Sequence, residues 1–263
     1  MNRVDKKFSE LKVAGKKALI TFITAGDPSL DMTKKLVLEM EKNGADLIEL
    51  GVPFSDPIAE GPVIQEANIR ALKVGVNLEK IFCCVAELRR ETQIPLVFLM
   101  YFNSILSYGL DAFFARCKEA GIDGVIIPDL PFEESDEIAE YTEKYGVYQI
   151  SMIAPTSTEE RIQKICERAR GFLYCVSSLG VTGTRQEFKT DFSTLFESIN
   201  KYAKIPRCIG FGISSPEQIK ELQGYCDGLI IGSAVIKQIA NASTDAEKIS
   251  AVGDFTKSLA AEL

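Results

Sequence analysis

Histidine is absent from all 263 residues. Its absence removes every Ser-His-Asp and Cys-His arrangement and every His-ligated zinc or iron site. Acid–base chemistry therefore falls to carboxylates, Tyr, Lys or Cys. Tryptophan is absent too, which excludes nothing by itself. The seven cysteines, odd in number, are never spaced C-x-x-C. Most sit in apolar runs and read as reduced core thiols, with no imidazole to activate one for catalysis. No apolar run approaches the roughly 20 residues that span a bilayer. The first twenty residues, MNRVDKKFSELKVAGKKALI, lack a continuous apolar core and a small-residue cleavage site, so no secretory signal is expected. The cytoplasm is the expected location. A net charge of −7 argues against nucleic acid and anionic membrane as partners, since both select basic surface.

What is present is a repeating pattern. Hydrophobic residues make up 46 % and charged residues 25 % of the chain, the composition of a well-cored globular protein. Short β-branched runs recur about every thirty residues: ALITFI (18–23), DLIELGV (46–52), PLVFLMY (95–101), GVIIPDL (124–130), YQISMIA (148–154), FLYCVSS (172–178), RCIGFGI (207–213) and GLIIGSA (228–234). Their near-continuous hydrophobicity suits parallel strands covered on both faces. A longer amphipathic stretch follows each, and Gly44, Gly121, Gly146 and Gly224 stand where helices should stop. Val4, Phe8 and Leu11 share one face of a short helix before the first strand, fit to plug the bottom of a barrel. No linker or low-complexity segment interrupts the rhythm. The expectation is one domain over residues 1–263, an α/β fold of the (β/α)8 TIM-barrel type with a short extra N-terminal helix. An open doubly wound sheet is the alternative, disfavoured by eight near-equal units with no obvious edge strand.

In such a barrel, chemistry belongs at the C-terminal ends of the strands. Glu49 lies inside the second run among Leu47, Ile48, Leu50 and Val52. A carboxylate there is costly unless paired or functional, and burial would raise its pKa into a useful range. The other reading is a structural carboxylate fixed by a neighbouring cation or backbone N–H. Asp56 and Glu60 follow in a loop stiffened by three prolines; either alone reads first as a solvated surface acid. The sixth run leads into a long loop to about Asp191, with Gly180 and Gly183, which reads as a lid. Gly210-Phe211-Gly212 and Gly232-Ser233 close the seventh and eighth runs. Glycines that admit backbone N–H groups, next to a helix N-terminus, suit a phosphate. A metal-dependent aldolase normally wants histidines, and a Schiff-base aldolase wants a strand-borne lysine. Neither is available, which leaves a metal-free, lysine-free lyase acting on a small phosphorylated substrate.

The run ELGVPFSDPIAEGPVIQ (49–65) closely resembles the second-strand signature of the tryptophan synthase alpha subunit family. FITAGDP (22–28), LMYFN (99–103), IIPDLP (126–131), LGVTGTR (179–185), GFGIS and IGSA resemble the family in the same order along nearly the whole chain. The resemblance implies a lyase of tryptophan biosynthesis that cleaves indole-3-glycerol phosphate into indole and glyceraldehyde 3-phosphate with no cofactor of its own. It also implies a pyridoxal-phosphate beta subunit as partner in an α2β2 heterotetramer. Carried over by position, Glu49 would be the acid–base residue. Glu60, where the family usually has Asp, would accept the indole N–H. Phe22, Leu99, Tyr174 and Phe211 would surround the ring. Gly183, Gly212, Gly232 and Ser233 would hold the phosphate, and Thr182 would help close the lid over Glu60. Asp56 and its neighbouring prolines resemble the surface that signals to the beta subunit. The Glu at position 60 leaves open a weakly active or inactive subunit that binds phosphorylated ligand and activates the beta subunit. Indole-glycerol-phosphate synthase is a more distant alternative, disfavoured by the missing strand lysine.

Overall fold

The computed structural model describes residues 1–176, 192–210 and 212–263. Every apolar run forms a strand, and every strand pairing is parallel. In chain order these are β1 (Ala18–Thr24), β2 (Leu47–Gly51), β3 (Leu96–Leu99), β4 (Gly124–Ile126), β5 (Tyr148–Gln149), β6 (Ser151–Ile153), β7 (Leu173–Val176), β8 (Arg207–Gly210) and β9 (Gly228–Ile231). β5 and β6 are two halves of the fifth run, divided at Ile150. The first half pairs with β4 and the second with β7, while β1 lies between β2 and β9. The strands thus close into a barrel and leave no open edge. The expected TIM barrel is borne out against the open sheet.

Around the barrel run α2 (Leu30–Lys42), α3 (Pro62–Lys73), α4 (Leu78–Leu88), α5 (Phe102–Tyr108), α6 (Leu110–Ala120), α7 (Asp136–Tyr145), α8 (Glu159–Arg168), α9 (Phe192–Tyr202), α10 (Pro216–Leu222), α11 (Ser233–Asn241) and α12 (Asp245–Ala260). β2, β3 and β9 are each followed by two helices where the pattern predicts one. The breaks have local causes. Asn77 caps α4 by accepting from the Lys80 N–H at 3.0 Å, and Gly109 joins α5 to α6 with a φ of +92°. Amphipathic periodicity passes over such short breaks. Gly44, Gly121 and Gly146 adopt positive φ at helix ends as read, but Gly224 does not. There α10 ends on Gln223 in right-handed geometry, so no left-handed residue is needed.

α1 (Arg3–Ala14) is the extra N-terminal helix. It buries Val4, Phe8 and Leu11 among Ile20, Leu47, Val97 and Phe172 at the barrel bottom. The Phe8 and Phe172 rings lie 5.8 Å apart. A second apolar layer, including Ile48, Leu50 and Phe98, fills the space between barrel and helices. Six of the seven cysteines are buried and none is disulfide-bonded; Cys83 is exposed. No described helix is long and apolar enough to cross a membrane.

Candidate active site

Strand side chains alternate between faces, so each strand offers the barrel interior every second residue. Leu47 faces inward, with Ile48 and Leu50 in the outer layer. Glu49 therefore faces the interior one step above Leu47. Ladder register places Phe22 on one side of Glu49 and Val97 on the other. The same end of the interior receives Leu99, Met152, Tyr174, Ile230 and Gly232 from their strands or strand ends. Together with Glu60, Gly212 and Ser233 they line one narrow cavity of about 40 Å³. Eight of the residues singled out in the sequence thus meet: Phe22, Glu49, Leu99, Glu60, Tyr174, Gly212, Gly232 and Ser233. Thr182, Gly183 and Phe211, with the lid reading of 179–185, lie outside the described residues.

The two glutamates sit in different electrostatic settings. Glu49 is 1 % exposed, and its Oε1 has no hydrogen-bond partner among the described residues. Burial alone pushes its carboxyl up to about 8, because an ion there loses its hydration with nothing in exchange. Among the described residues no cation fixes it, as the structural reading of the sequence would require. Glu60 is buried as well, contrary to the surface acid expected for it alone. Burial raises its carboxyl, and a hydrogen bond donated by the Tyr101 hydroxyl pulls it back down, while the Asp129 charge adds to the rise. Asp56 stays exposed in the intervening loop, beside Ile58.

At the far side of the cavity, α11 begins at Ser233 with no side chain capping its N-terminus. Unpaired first-turn N–H groups and the helix dipole make such an end attractive to an anion. Ser233 is buried, and Gly232 immediately precedes it on the cavity wall.

Two contributors, Tyr101 and Gly51, were given no role of their own in the sequence, and a third, Gly210, was read there only as part of a phosphate cluster. Tyr101 holds Glu60, and nothing in a one-dimensional motif reveals that bond. Gly51 and Gly210 make room for aromatic rings: a Cβ on Gly51 would stand 2.6 Å from Phe22 Cζ, and one on Gly210 would stand 2.5 Å from the Tyr174 hydroxyl. Both glycines fall on inward positions of their strands, which is the signal that could have marked them.

A larger cleft, about 840 Å³, lies outside the barrel against α7, α8 and the fifth strand. Neither Glu49 nor Glu60 borders it, and size does not make chemistry. The narrow cavity holds the unpartnered acid.

A family model described as Tryptophan synthase alpha chain matches residues 8–261. The tryptophan synthase alpha chain of Thermoanaerobacter sp. is 49 % identical over 259 residues, 98 % of each chain. A crystal structure of tryptophan synthase subunit alpha from Legionella pneumophila superimposes with a TM-score of 0.89 at 37 % identity, covering 100 % of this chain and 98 % of that one. A structure described as the tryptophan synthase α2β2 complex of Pyrococcus furiosus matches with a TM-score of 0.85 at 35 % identity, over 92 % of this chain and 97 % of that one.

Proposed function

The chain belongs to the tryptophan synthase alpha chain family, and from that premise we propose that it cleaves indole-3-glycerol phosphate to indole and glyceraldehyde 3-phosphate, with Glu49 and Glu60 as its catalytic pair. The bond to be broken joins indole C3 to the hydroxyl-bearing carbon of the glycerol chain. Protonation of C3 turns the ring into an electron sink. Loss of the hydroxyl proton then lets the carbon–carbon electrons return to the ring as the aldehyde forms. One proton enters and one leaves, so the steps balance without an external reagent.

Glu49 carries the first part. With its carboxyl near 8 it keeps its proton at neutral pH, which suits a general acid that delivers to C3 and then receives the hydroxyl proton as a base. Glu60 carries the second. Its bond from Tyr101 favours the ionised form, which suits an acceptor for the indole N–H as positive charge develops on the ring. Burial raises both carboxyls, and of the two only Glu60 has hydrogen bonds that oppose the rise, which separates their roles. Phe22, Leu99 and Tyr174 bound the ring apolarly, and Gly212, Gly232 and Ser233 receive the phosphate at the start of α11; the resemblance adds Phe211 to the ring, Gly183 to the phosphate and Thr182 to closure over Glu60, all three outside the described residues.

The observation that carries the reading is the buried Glu49, its Oε1 without a partner among the described residues, in a cavity shared with Glu60 and the residues that open α11. No group of His, Cys, Asp or Glu that could hold a metal occurs among the described residues, and every step above uses the chain's own side chains. The Pyrococcus α2β2 relative supports a beta subunit as partner in an α2β2 assembly; to that contact we assign the exposed loop bearing Asp56 and Ile58, and to the chain a place in the cytoplasm. Glu49→Gln preserves shape and removes the titrating proton. Turnover should fall at least a hundredfold, the scale of general acid–base work, while a substrate analogue still binds. A variant retaining a tenth of the rate would make Glu49 structural.

A further inference from the structure

Tyr101 has no part in the proton transfers just described, yet its side chain meets the loop that follows β2 at three points. Its ring stacks on Phe54 with centroids 4.9 Å apart. Its hydroxyl oxygen accepts from the Ala59 N–H at 2.8 Å. Its hydroxyl proton is donated to Glu60 Oε2. Tyr101 itself is 3 % exposed and stands at the end of β3, two residues beyond Leu99 of the cavity wall. The next residue is also tied down: the Phe102 N–H donates to the Asp129 carboxylate at 2.9 and 3.2 Å.

These contacts fix the direction of the bond. A phenol has one proton to give, and here its oxygen already accepts from a backbone amide. The hydroxyl proton is donated to Glu60 Oε2, which accepts it. The other end of that residue is pinned as well, because its carbonyl accepts from Gln65 Nε2 at 2.8 Å. The backbone and one carboxylate oxygen are thus both held by neighbours in the site.

We propose that Tyr101 is the positioning residue of the site: it orients Glu60 so that Oε2 is engaged and Oε1 is presented to the indole N–H. The proposal rests on the cleavage reading given above and names what aims its electrostatic partner. Flexible glutamate has one more rotatable bond than aspartate, so an anchor at Oε2 removes freedom that would otherwise be lost on binding. The groups facing Glu60 are Asp129 from the loop after β4, Glu49 from β2, Tyr174 from β7 and Tyr101 from the end of β3. No Lys or Arg lines the cavity among the described residues. Donation from Tyr101, with the backbone amides of residues 59 and 60, offsets part of the rise that burial and the Asp129 charge impose on Glu60.

The test is a cycle of Tyr101→Phe, Glu60→Gln and the double variant, with indole-3-glycerol phosphate as substrate and ¹³C NMR of the Glu60 carboxyl as a second reading. Phenylalanine keeps the stack on Phe54 and loses only the hydroxyl. Tyr101→Phe should lower kcat ten- to a hundredfold with KM within threefold, and move the acid limb of the kcat profile to higher pH. The Glu60 carboxyl signal should titrate at higher pH in the same variant. Added to Glu60→Gln, the Tyr101 change should cost less than threefold more, because its route of action is already gone. A Tyr101 effect that multiplies undiminished onto Glu60→Gln, or a Glu60 titration unmoved by Tyr101→Phe, overturns the proposal. A wild-type chain without cleavage overturns the functional reading instead, and the NMR titration still decides the Tyr101–Glu60 bond.

Discussion

Replacing Glu49 by Gln should make the protein more stable while stopping its chemistry. In the unfolded chain this carboxyl ionises near its ordinary value of 4.5; in the folded barrel burial holds it at about 8. Between these two pH values the folded state keeps a proton that the unfolded state has released. Stability therefore falls as pH rises through that window, by about 1.4 kcal/mol per pH unit for one group, and levels off above it. The full loss is about 5 kcal/mol, a ceiling because water penetration softens the cost of a buried charge. Gln has the same shape and never ionises. Urea unfolding of both proteins at pH 5, 6, 7, 8 and 9 isolates the difference, since every other titrating group is common to both. At pH 5 the two should nearly coincide, and by pH 9 Glu49→Gln should be the more stable by several kcal/mol. Parallel stability curves across this range would mean that Glu49 ionises normally in the fold, and the argument for a proton-retaining acid would fail with it.

Gly232→Asp should abolish binding of glycerol phosphate analogues while the circular dichroism spectrum stays native. A Cβ at this position meets Phe22 only at an ordinary 3.5 Å, so isothermal titration reads the added charge rather than a clash. Gly210→Ala should push Tyr174 out of place and raise KM for the substrate several-fold, at a stability cost of about 1–3 kcal/mol; unchanged kinetics would free the cavity from Tyr174. Phe8→Ala should cost about 3–5 kcal/mol in urea unfolding and leave the kcat of the folded fraction intact, because it empties the end of the barrel away from the site.

Glu49 was legible as a site residue because an ionisable group inside an apolar strand is costly wherever that strand goes. The barrel was legible for a related reason: eight apolar runs at even spacing can all be covered on both faces only in a few ways. Glu60 was harder. Its loop has the composition of exposed chain, and the bond that holds its side chain comes from Tyr101, forty-one residues away. The glycines at 51 and 210 are ordinary in sequence and become necessary only when Phe22 and Tyr174 arrive from neighbouring strands. Continuous apolar runs also conceal which residues face the barrel interior, because both faces are buried and alternation leaves no polar trace. The paired helices after β2, β3 and β9 escaped for the opposite reason: a short break hardly disturbs an amphipathic period.

The central claim is that this chain, with glutamate at position 60, breaks the carbon–carbon bond itself. Purified chain supplied with indole-3-glycerol phosphate, alone and with a tryptophan synthase beta subunit, can be followed by glyceraldehyde 3-phosphate release in a coupled dehydrogenase assay. Release above the uncatalysed rate is expected from the chain alone, with faster release beside the beta subunit and loss of both in Glu60→Gln. Background release under both conditions, restored by several orders of magnitude in Glu60→Asp, would contradict it and leave a ligand-binding activator in place of an enzyme.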